Sequence, residues 1–305
     1  MPNKKVKRAF KFRFYPTSVQ EKELLQTWGC VRFVYNKALD MRHTAWFKNH
    51  ERVNYSQTSA ALTQWKKQDE LSFLKGVASV PLQQCLRHLQ TAFTNFFEKR
   101  AGYPKFKSRK KSKLGLEYST SGFRFKGDDL YIARLKEPLN VVWSRDFDRD
   151  SISTVTITKD KAGRWFVSCL GEVPVEKRRI TGNTVGLDMG VKDTLVLSTG
   201  QKLSPRDDRD MKKKLAKVDK YQRRLSKKKI GSNNFAKAKT KLSKAHVQVV
   251  DARKDWIHKT TTQLVKEFDV VCVEDLNVRG MTRSARGKGR KAKACLLYTS
   301  PSPRD

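Results

Sequence analysis

Asp188 and Glu274 are the acids whose settings could turn a carboxylate into a ligand. Thr184-Val-Gly-Leu-Asp188-Met-Gly190 begins as a short apolar strand, ends it on a carboxylate and turns away on glycine. A second strand, expected over Lys192 to Leu197, puts Asp188 at the head of a hairpin. Far downstream, Asp269-Val-Val-Cys-Val-Glu274-Asp-Leu-Asn277 repeats the pattern of an apolar strand closed by an acid. Two buried strands that each end in an acid can bring two carboxylates together, and such a pair can hold divalent cations against a phosphodiester. Each acid alone has a plainer reading, because Asp-x-Gly is common turn chemistry and Glu274 by itself signals no more.

The rest of the chain is set up for a polyanion. Its 305 residues carry 66 Lys and Arg against 30 Asp and Glu, a formal charge of +36. A compact chain this basic repels itself unless something anionic neutralises it. Nucleic acid is the default partner and an acidic membrane surface the alternative. No apolar run approaches the roughly 20 residues that a membrane span needs, and the basic N-terminus lacks the apolar stretch and cleavage site of a signal peptide. Cys30, Cys85, Cys169, Cys272 and Cys295 are scattered without a Cys-x-x-Cys pair. They read as reduced cytosolic thiols, each a small buried apolar residue, and not as a disulfide framework or zinc site.

The elements that must position the acids follow from periodicity. Phe10, Phe12 and Phe14 alternate with Lys11 and Arg13, a strand with one apolar and one cationic face. Pro16 ends it, and Ser18 with Glu21 reads as a capping box. Leu24, Leu25 and Trp28 stripe a first helix. After Gly29 a second helix carries Val31, Val34, Tyr35 and Ala38. Asn54 to Thr58 open a short helix with Ala61, Leu62 and Trp65. Ser79 is the expected N-cap of the clearest helix, with Pro81 in its first turn and Leu82, Cys85, Leu86, Leu89, Phe93, Phe96 and Phe97 at helical spacing. Lys99 to Lys113 then mixes cations with aromatics in Gly102-Tyr103-Pro104-Lys105-Phe106-Lys107, either phosphate and base contacts or a solvated linker.

From residue 116 the period becomes two. Phe123 and Phe125 pair with Leu130 and Ile132 across Lys126-Gly127-Asp128. Further strands follow at Val141–Trp143, at Ile152–Ile157 and at Trp165–Leu170 beyond the turn Asp160–Gly163. The reading is a small antiparallel barrel that the N-terminal strand joins. After the Asp188 hairpin and a strand near Gln201, residues 206–244 hold 16 Lys and Arg against four Asp. Met211, Leu215, Val218 and Leu225 seam one helix. Phe235, Leu242, Val249 and Trp256 keep heptad spacing on a second, with Ala238, Ala245 and Ala252 three residues on. This is a basic helical hairpin between two sheet strands; a solvated charged coiled coil is its plain alternative. Arg279 to Lys291 is a cationic loop. Cys295 to Asp305 looks like the translation of a sequencing-library adapter, so the natural chain is expected to continue past Lys293 or Ala294.

Together these features resemble the TnpB (OrfB) proteins of insertion sequences, compact relatives of RNA-guided type V CRISPR effectors. The resemblance rests on Phe12-Arg-Phe-Tyr-Pro16, Arg32-Phe-Val-Tyr-Asn36, Gly102-Tyr-Pro-Lys-Phe-Lys107, Gly186-Leu-Asp-Met-Gly-Val-Lys-Asp193, Arg253-Lys-Asp-Trp-Ile-His258 and Val273-Glu-Asp-Leu-Asn277, in the family's order over about residues 1–285. It implies an α+β multidomain protein. A wedge-like antiparallel β-barrel (1–16 with 112–178) would hold an inserted helical recognition domain (17–111). A partial ribonuclease H-like RuvC domain (183–294) would carry the basic hairpin, with 295–305 as an artefactual tail. Asp188 and Glu274 become catalytic carboxylates binding Mg²⁺ in a two-metal site. Guide RNA and double-stranded target DNA become the partners, in a prokaryotic cytoplasm at the nucleoid. Tyr55, Ser59 and Gln83 become candidates for contacts to the target-adjacent motif. Lys105, Lys107 and Arg109 become nucleic-acid contacts. The family also has a third catalytic Asp and a Cys-x-x-Cys zinc ribbon downstream of Glu274. Both are missing from this chain, so structural Zn²⁺ lacks its ligands and cleavage is expected to be impaired. A non-cleaving RNA- and DNA-binding relative and an actin-like-fold phosphotransferase are the alternative functions.

Overall fold

The computed structural model describes residues 5–109, 112–175, 180–190, 194–205 and 209–277. Two compact units divide the chain at Lys177 and Arg178. The expected cationic loop Arg279–Lys291, the tail from Cys295 and the strand start at Lys192 lie outside the described residues.

In the first unit β1 (Lys5–Phe14) buries Phe10, Phe12 and Phe14, as its alternation requires. Its cationic face lies against Phe166, with Lys11 Nζ 4.2 Å and the Arg13 guanidinium 5.2 Å from the ring centre. β1 pairs along its whole length with β7 (Trp165–Pro174), from Lys5 opposite Pro174 to Phe14 opposite Trp165. The other strands of this sheet are β2 (Leu114–Ser119), β5 (Val141–Val142) and β6 (Ile152–Lys159), and its order is β2-β6-β7-β1-β5. β3 (Phe123–Lys126) and β4 (Asp129–Ile132) form a separate hairpin. Phe123 faces Ile132 and Phe125 faces Leu130, as the pattern predicts, and Gly127 supplies the positive φ of the turn.

The expected closed barrel is absent among the described residues. The sheet is open, with β2 and β5 at its edges. The reason is length: β5 has two residues and reaches only Arg13 and Phe14 of β1. The β3–β4 hairpin adds no more than the bridge from Leu130 to Leu139.

The helices differ from expectation in two places. α1 runs unbroken from Ser18 to Asn49, with Gly29 inside it. A helical glycine costs about 1 kcal/mol relative to alanine. Burial of Leu24, Cys30, Val31, Val34, Ala38 and Leu39 on both sides of it outweighs that cost. The capping box is Thr17 with Gln20, not Ser18 with Glu21. Gln20 is buried and its amide also donates to Pro138 O at 3.0 Å, whereas Glu21 is drawn away to pair with Lys159 of β6. α2 (Tyr55–Lys67) is capped by Asn54 and Gln57. A 3-10 segment, Asp69–Gly76, leads to α3 (Ser79–Phe97). Its N-cap is Ala78, not Ser79, because the Ser79 hydroxyl accepts from Lys66 Nζ at 2.8 Å. Helices and sheet share one core, from Leu39, Leu82 and Leu86 to Leu116, Ile157 and Val167.

The second unit holds β8 (Thr184–Asp188), β9 (Leu195–Leu197), β10 (Lys202–Leu203), α4 (Arg209–Ser226), α5 (Asn233–Glu267) and β11 (Val270–Val273). Its sheet order is β10-β9-β8-β11. β8 runs antiparallel to β9 and parallel to β11, the helical hairpin making the crossover between them. Ser232 caps α5 by accepting from Phe235 N at 3.1 Å. Met211 of α4 and Leu242, Ala245 and Val249 of α5 are buried along the seam. The sheet's own buried core is Val185, Leu197 and Leu264.

Candidate metal centre and nucleic-acid contacts

The parallel register decides where the two acids lie. Val270, Val271, Cys272 and Val273 stand opposite Thr184, Val185, Gly186 and Leu187. Asp188 closes β8 and Glu274 directly follows β11, so both lie at the same end of the sheet. They line one open depression of about 440 Å³ together with Gly186, Ser198 and Cys272. On its other side Asp188 pairs with Val196 of β9.

Asp269 holds this register. Its carboxylate accepts from Thr181 N and Gly182 N, both at 2.6 Å, and from Thr181 Oγ1 at 3.0 Å. The Asn183 amide donates to Glu267 O at 3.1 Å. The segment entering β8 is thereby tied to the segment entering β11. At the other edge of β8, Gly186 N donates to Ser198 Oγ at 3.1 Å and Ser198 N to Gly186 O at 2.9 Å. Sequence reading missed Asp269, because an acid before an apolar run looks like any solvated residue. The sole available signal was its place one residue before β11, where a strand start needs a partner.

The donor set fits a hard divalent cation. Two exposed carboxylates supply oxygen ligands, and neither side chain has an ion pair or hydrogen bond among the described residues. No group of three or more His, Cys, Asp and Glu side chains gathers there or elsewhere among the described residues.

The other candidates belong to the first unit. Tyr55 and Ser59 stand one turn apart on α2, and Gln83 and Arg87 one turn apart on α3. Tyr55 Oη accepts from Arg87 Nε at 3.4 Å, and the guanidinium lies 5.9 Å from the ring centre. Arg87 thus joins the set, a residue that charge counting could not single out. Lys66 beside Ser79 has its pKa lowered by burial and by Arg134, a cation pair that an anion would relieve.

Lys105 and Arg109 are exposed, as is Phe106 between Lys105 and Lys107. Lys107 differs from them. Its backbone is clamped by Asn36, which accepts from Lys107 N at 2.8 Å and donates to Lys107 O at 2.9 Å. Its Nζ lies 4.0 Å from the Tyr35 ring centre, and burial lowers its pKa. Asn36 and Lys107 come from two of the motifs that carried the resemblance, so those motifs meet in space.

Comparison with known proteins supports the sequence reading. Residues 166–285 match the OrfB_IS605 family model, described as "Probable transposase", and residues 1–51 match HTH_OrfB_IS605, described as a helix-turn-helix domain. Within the described part of that second span the chain forms β1 and the continuous α1. A Streptomyces pristinaespiralis protein named "Putative RNA-guided DNA endonuclease" is 49% identical over 92% of this chain and 70% of its own length. The Escherichia coli K12 protein "Putative RNA-guided DNA endonuclease InsQ" is 33% identical over 94% of this chain and 71% of its own length. A solved CRISPR-Cas12f ternary complex superposes with a TM-score of 0.37 at 14% identity, covering 87% of this chain and 65% of the Cas12f chain. By its family-model matches and its identity to these relatives, the chain belongs to the TnpB (OrfB) family of insertion-sequence proteins.

Proposed function

We propose that this protein is an RNA-guided DNA endonuclease that hydrolyses phosphodiesters with Asp188 and Glu274 as ligands for Mg²⁺. The observation that supports this reading is the parallel β8–β11 register, with Asp188 last in β8 and Glu274 directly after β11. Bound there, divalent metal would supply a Lewis acid for the phosphoryl oxygens and lower the pKa of an attacking water. The chain's own residues do the rest. Asp269 ties together the starts of β8 and β11, which sets the register on which the alignment of the two acids at the far end depends. The cations of α4 and α5 draw in the polyanion. Lys105, Lys107 and Arg109 contact nucleic acid, and Tyr55, Ser59 and Gln83 read the sequence beside the target. Pairing between guide and target supplies the remaining specificity. The ribonuclease H-like architecture of the second unit and the wedge role of the first are part of the same reading. So is a site of action in the prokaryotic cytoplasm at the nucleoid; no helix among the described residues is long and apolar enough to cross a membrane.

Binding without cleavage is the second reading, favoured by the pair of carboxylates gathering no third ligand among the described residues. One experiment separates the two. The protein is co-expressed with the RNA of its own locus, and the RNA that co-purifies is sequenced. A plasmid library bearing the matching target is then incubated with the complex and MgCl₂. Cleavage that Asp188→Ala abolishes while RNA retention is unchanged is the expected result. Tight RNA retention with no cleavage selects the binding protein, and no RNA retention contradicts both.

A further inference from the structure

A second candidate site lies within the first unit. α1 presents Arg42 and Trp46 one turn apart, and α3 presents Phe93 and Phe97 one turn apart. With Glu51 and Tyr103 they line a cavity of about 490 Å³. Tyr103 stands edge-on to Phe93, the ring centres 5.6 Å apart, and Phe93 and Phe97 are stacked at 6.2 Å. The size and the apolar lining with a few polar groups are those of a small-ligand pocket.

Arg42 shows what the cavity takes. The residue is only 7% exposed, and its guanidinium lies 4.7 Å from the Phe93 ring centre. One Nη donates to the Gln90 side chain, but the buried Nε has no hydrogen-bond partner. A desolvated donor left unpaired costs free energy, and the residue that carries it lines the cavity. The rim is aromatic and open, Trp46 being 43% and Phe97 66% exposed. Flat rings around a planar cation suit a flat ligand with acceptors on its edge. Nucleobases have that shape, and exposed aromatic rings are what proteins stack them on. Guanine fits best, because it offers O6 and N7 to an arginine and an N–H edge to a carboxylate such as Glu51.

We propose that this cavity captures one unpaired guanine of a bound RNA, stacked on the Trp46 and Phe97 rings and hydrogen-bonded by Arg42. The proposal rests on the nucleic-acid reading above and adds a base-specific site to it. Unpaired bases splayed onto aromatic side chains are how proteins ordinarily read single-stranded RNA.

The test uses the intact protein and uridine 11-mers carrying one central guanine, one central adenine or one abasic position, with binding followed by fluorescence anisotropy. The guanine strand is expected to bind about tenfold more tightly than the abasic strand, the size of one well-stacked base. Trp46→Ala and Phe97→Ala, both at exposed rings, should erase that preference while changing abasic binding less than twofold. Arg42→Met should erase it too, and the two rim variants keep the test valid if Arg42→Met fails to fold by circular dichroism. Deoxyribose versions of the same strands locate the source. A preference confined to RNA supports the assignment as stated, and an equal preference in DNA supports a base pocket that either strand can fill. Equal binding of guanine, adenine and abasic strands, or variants that weaken all strands alike, overturns the proposal while leaving general nucleic-acid binding standing. Failure of every strand to bind instead overturns the nucleic-acid reading itself.

Discussion

The two sheets of this protein rest on cores of very different size. The sheet around β1 and β7 packs against three helices, and the core they share includes Phe12, Phe14, Leu116, Ile157 and Val167. The sheet that carries the two acids rests on Val185, Leu197 and Leu264. Its edge strand β11 buries none of its residues, Val270 being 52% and Val273 62% exposed. Hydrophobic stabilisation scales with apolar area removed from water, so the first unit holds its shape by packing. The second holds its register by hydrogen bonds, chiefly those of Asp269. In the proposed reading, chemistry falls on the less packed unit and recognition on the more packed one.

That contrast can be broken most forcefully from the packed side. Phe14→Ala removes a fully buried ring from the first sheet and should cost about 3–5 kcal/mol, lowering the midpoint of chemical denaturation of that unit. A loss below about 1 kcal/mol would mean that the shared core is looser than its burial implies. Asp269→Ala strikes the hydrogen-bonded side. Freeing the two amides and the hydroxyl it accepts from should cost about 1–3 kcal/mol. It should also lower cleavage more than RNA binding, because the alignment of the two acids depends on that register.

Two glycines sharpen the comparison. A methyl on Gly171 of β7 would meet Ile152 Cδ1 and Ser151 Oγ at 2.8 Å, whereas on Gly186 of β8 it would meet Ser198 Cβ at 3.5 Å. Gly171→Ala should therefore destabilise by about 1–3 kcal/mol, and Gly186→Ala by less than about 1. Equal costs would show that the two sheets are packed alike.

The smallest effect is chemical. Burial pushes the Cys85 and Cys169 thiols of the first unit up to about 12, while Cys272 of β11 is exposed. At pH 8 a thiol-specific reagent should modify Cys272 long before either buried cysteine. These two thiols stay protonated in the folded protein after their unfolded counterparts ionise. Their contribution is therefore intact below pH 9 and declines above it, and unfolding midpoints should fall as pH rises from 9 toward 12. Midpoints flat across that range would mean that the thiols ionise in place.

How much of this was legible in the sequence depends on how far each interaction reaches along the chain. The β3–β4 pairing was legible because alternation and a Gly127 turn are local. The periodicity of α3 and the start of α2 at Asn54 were legible for the same reason. Gly29 read as a break, since its tolerance comes from burial against residues distant in sequence. Ser18 read as the cap in place of Thr17, since the choice was made by Gln20 reaching Pro138. Openness of the first sheet could not be seen, because β5 looks like a full strand until its single neighbour is known. At the site, Asp188 and Glu274 were visible as strand ends, and the ordered family motifs joined them. Asp269 and Arg42 were not, because each takes its meaning from a partner far along the chain.

The central claim is that Asp188 and Glu274 share a cation, and metal titration tests it directly. Mn²⁺ binding to the wild-type protein, Asp188→Asn, Glu274→Gln and the double variant can be followed by electron paramagnetic resonance. Shared ligation predicts that each single variant loses at least about tenfold in affinity and that the double variant is little worse than either, the non-additivity of groups acting on one ion. Affinity that survives both substitutions, or losses that simply add, would contradict it.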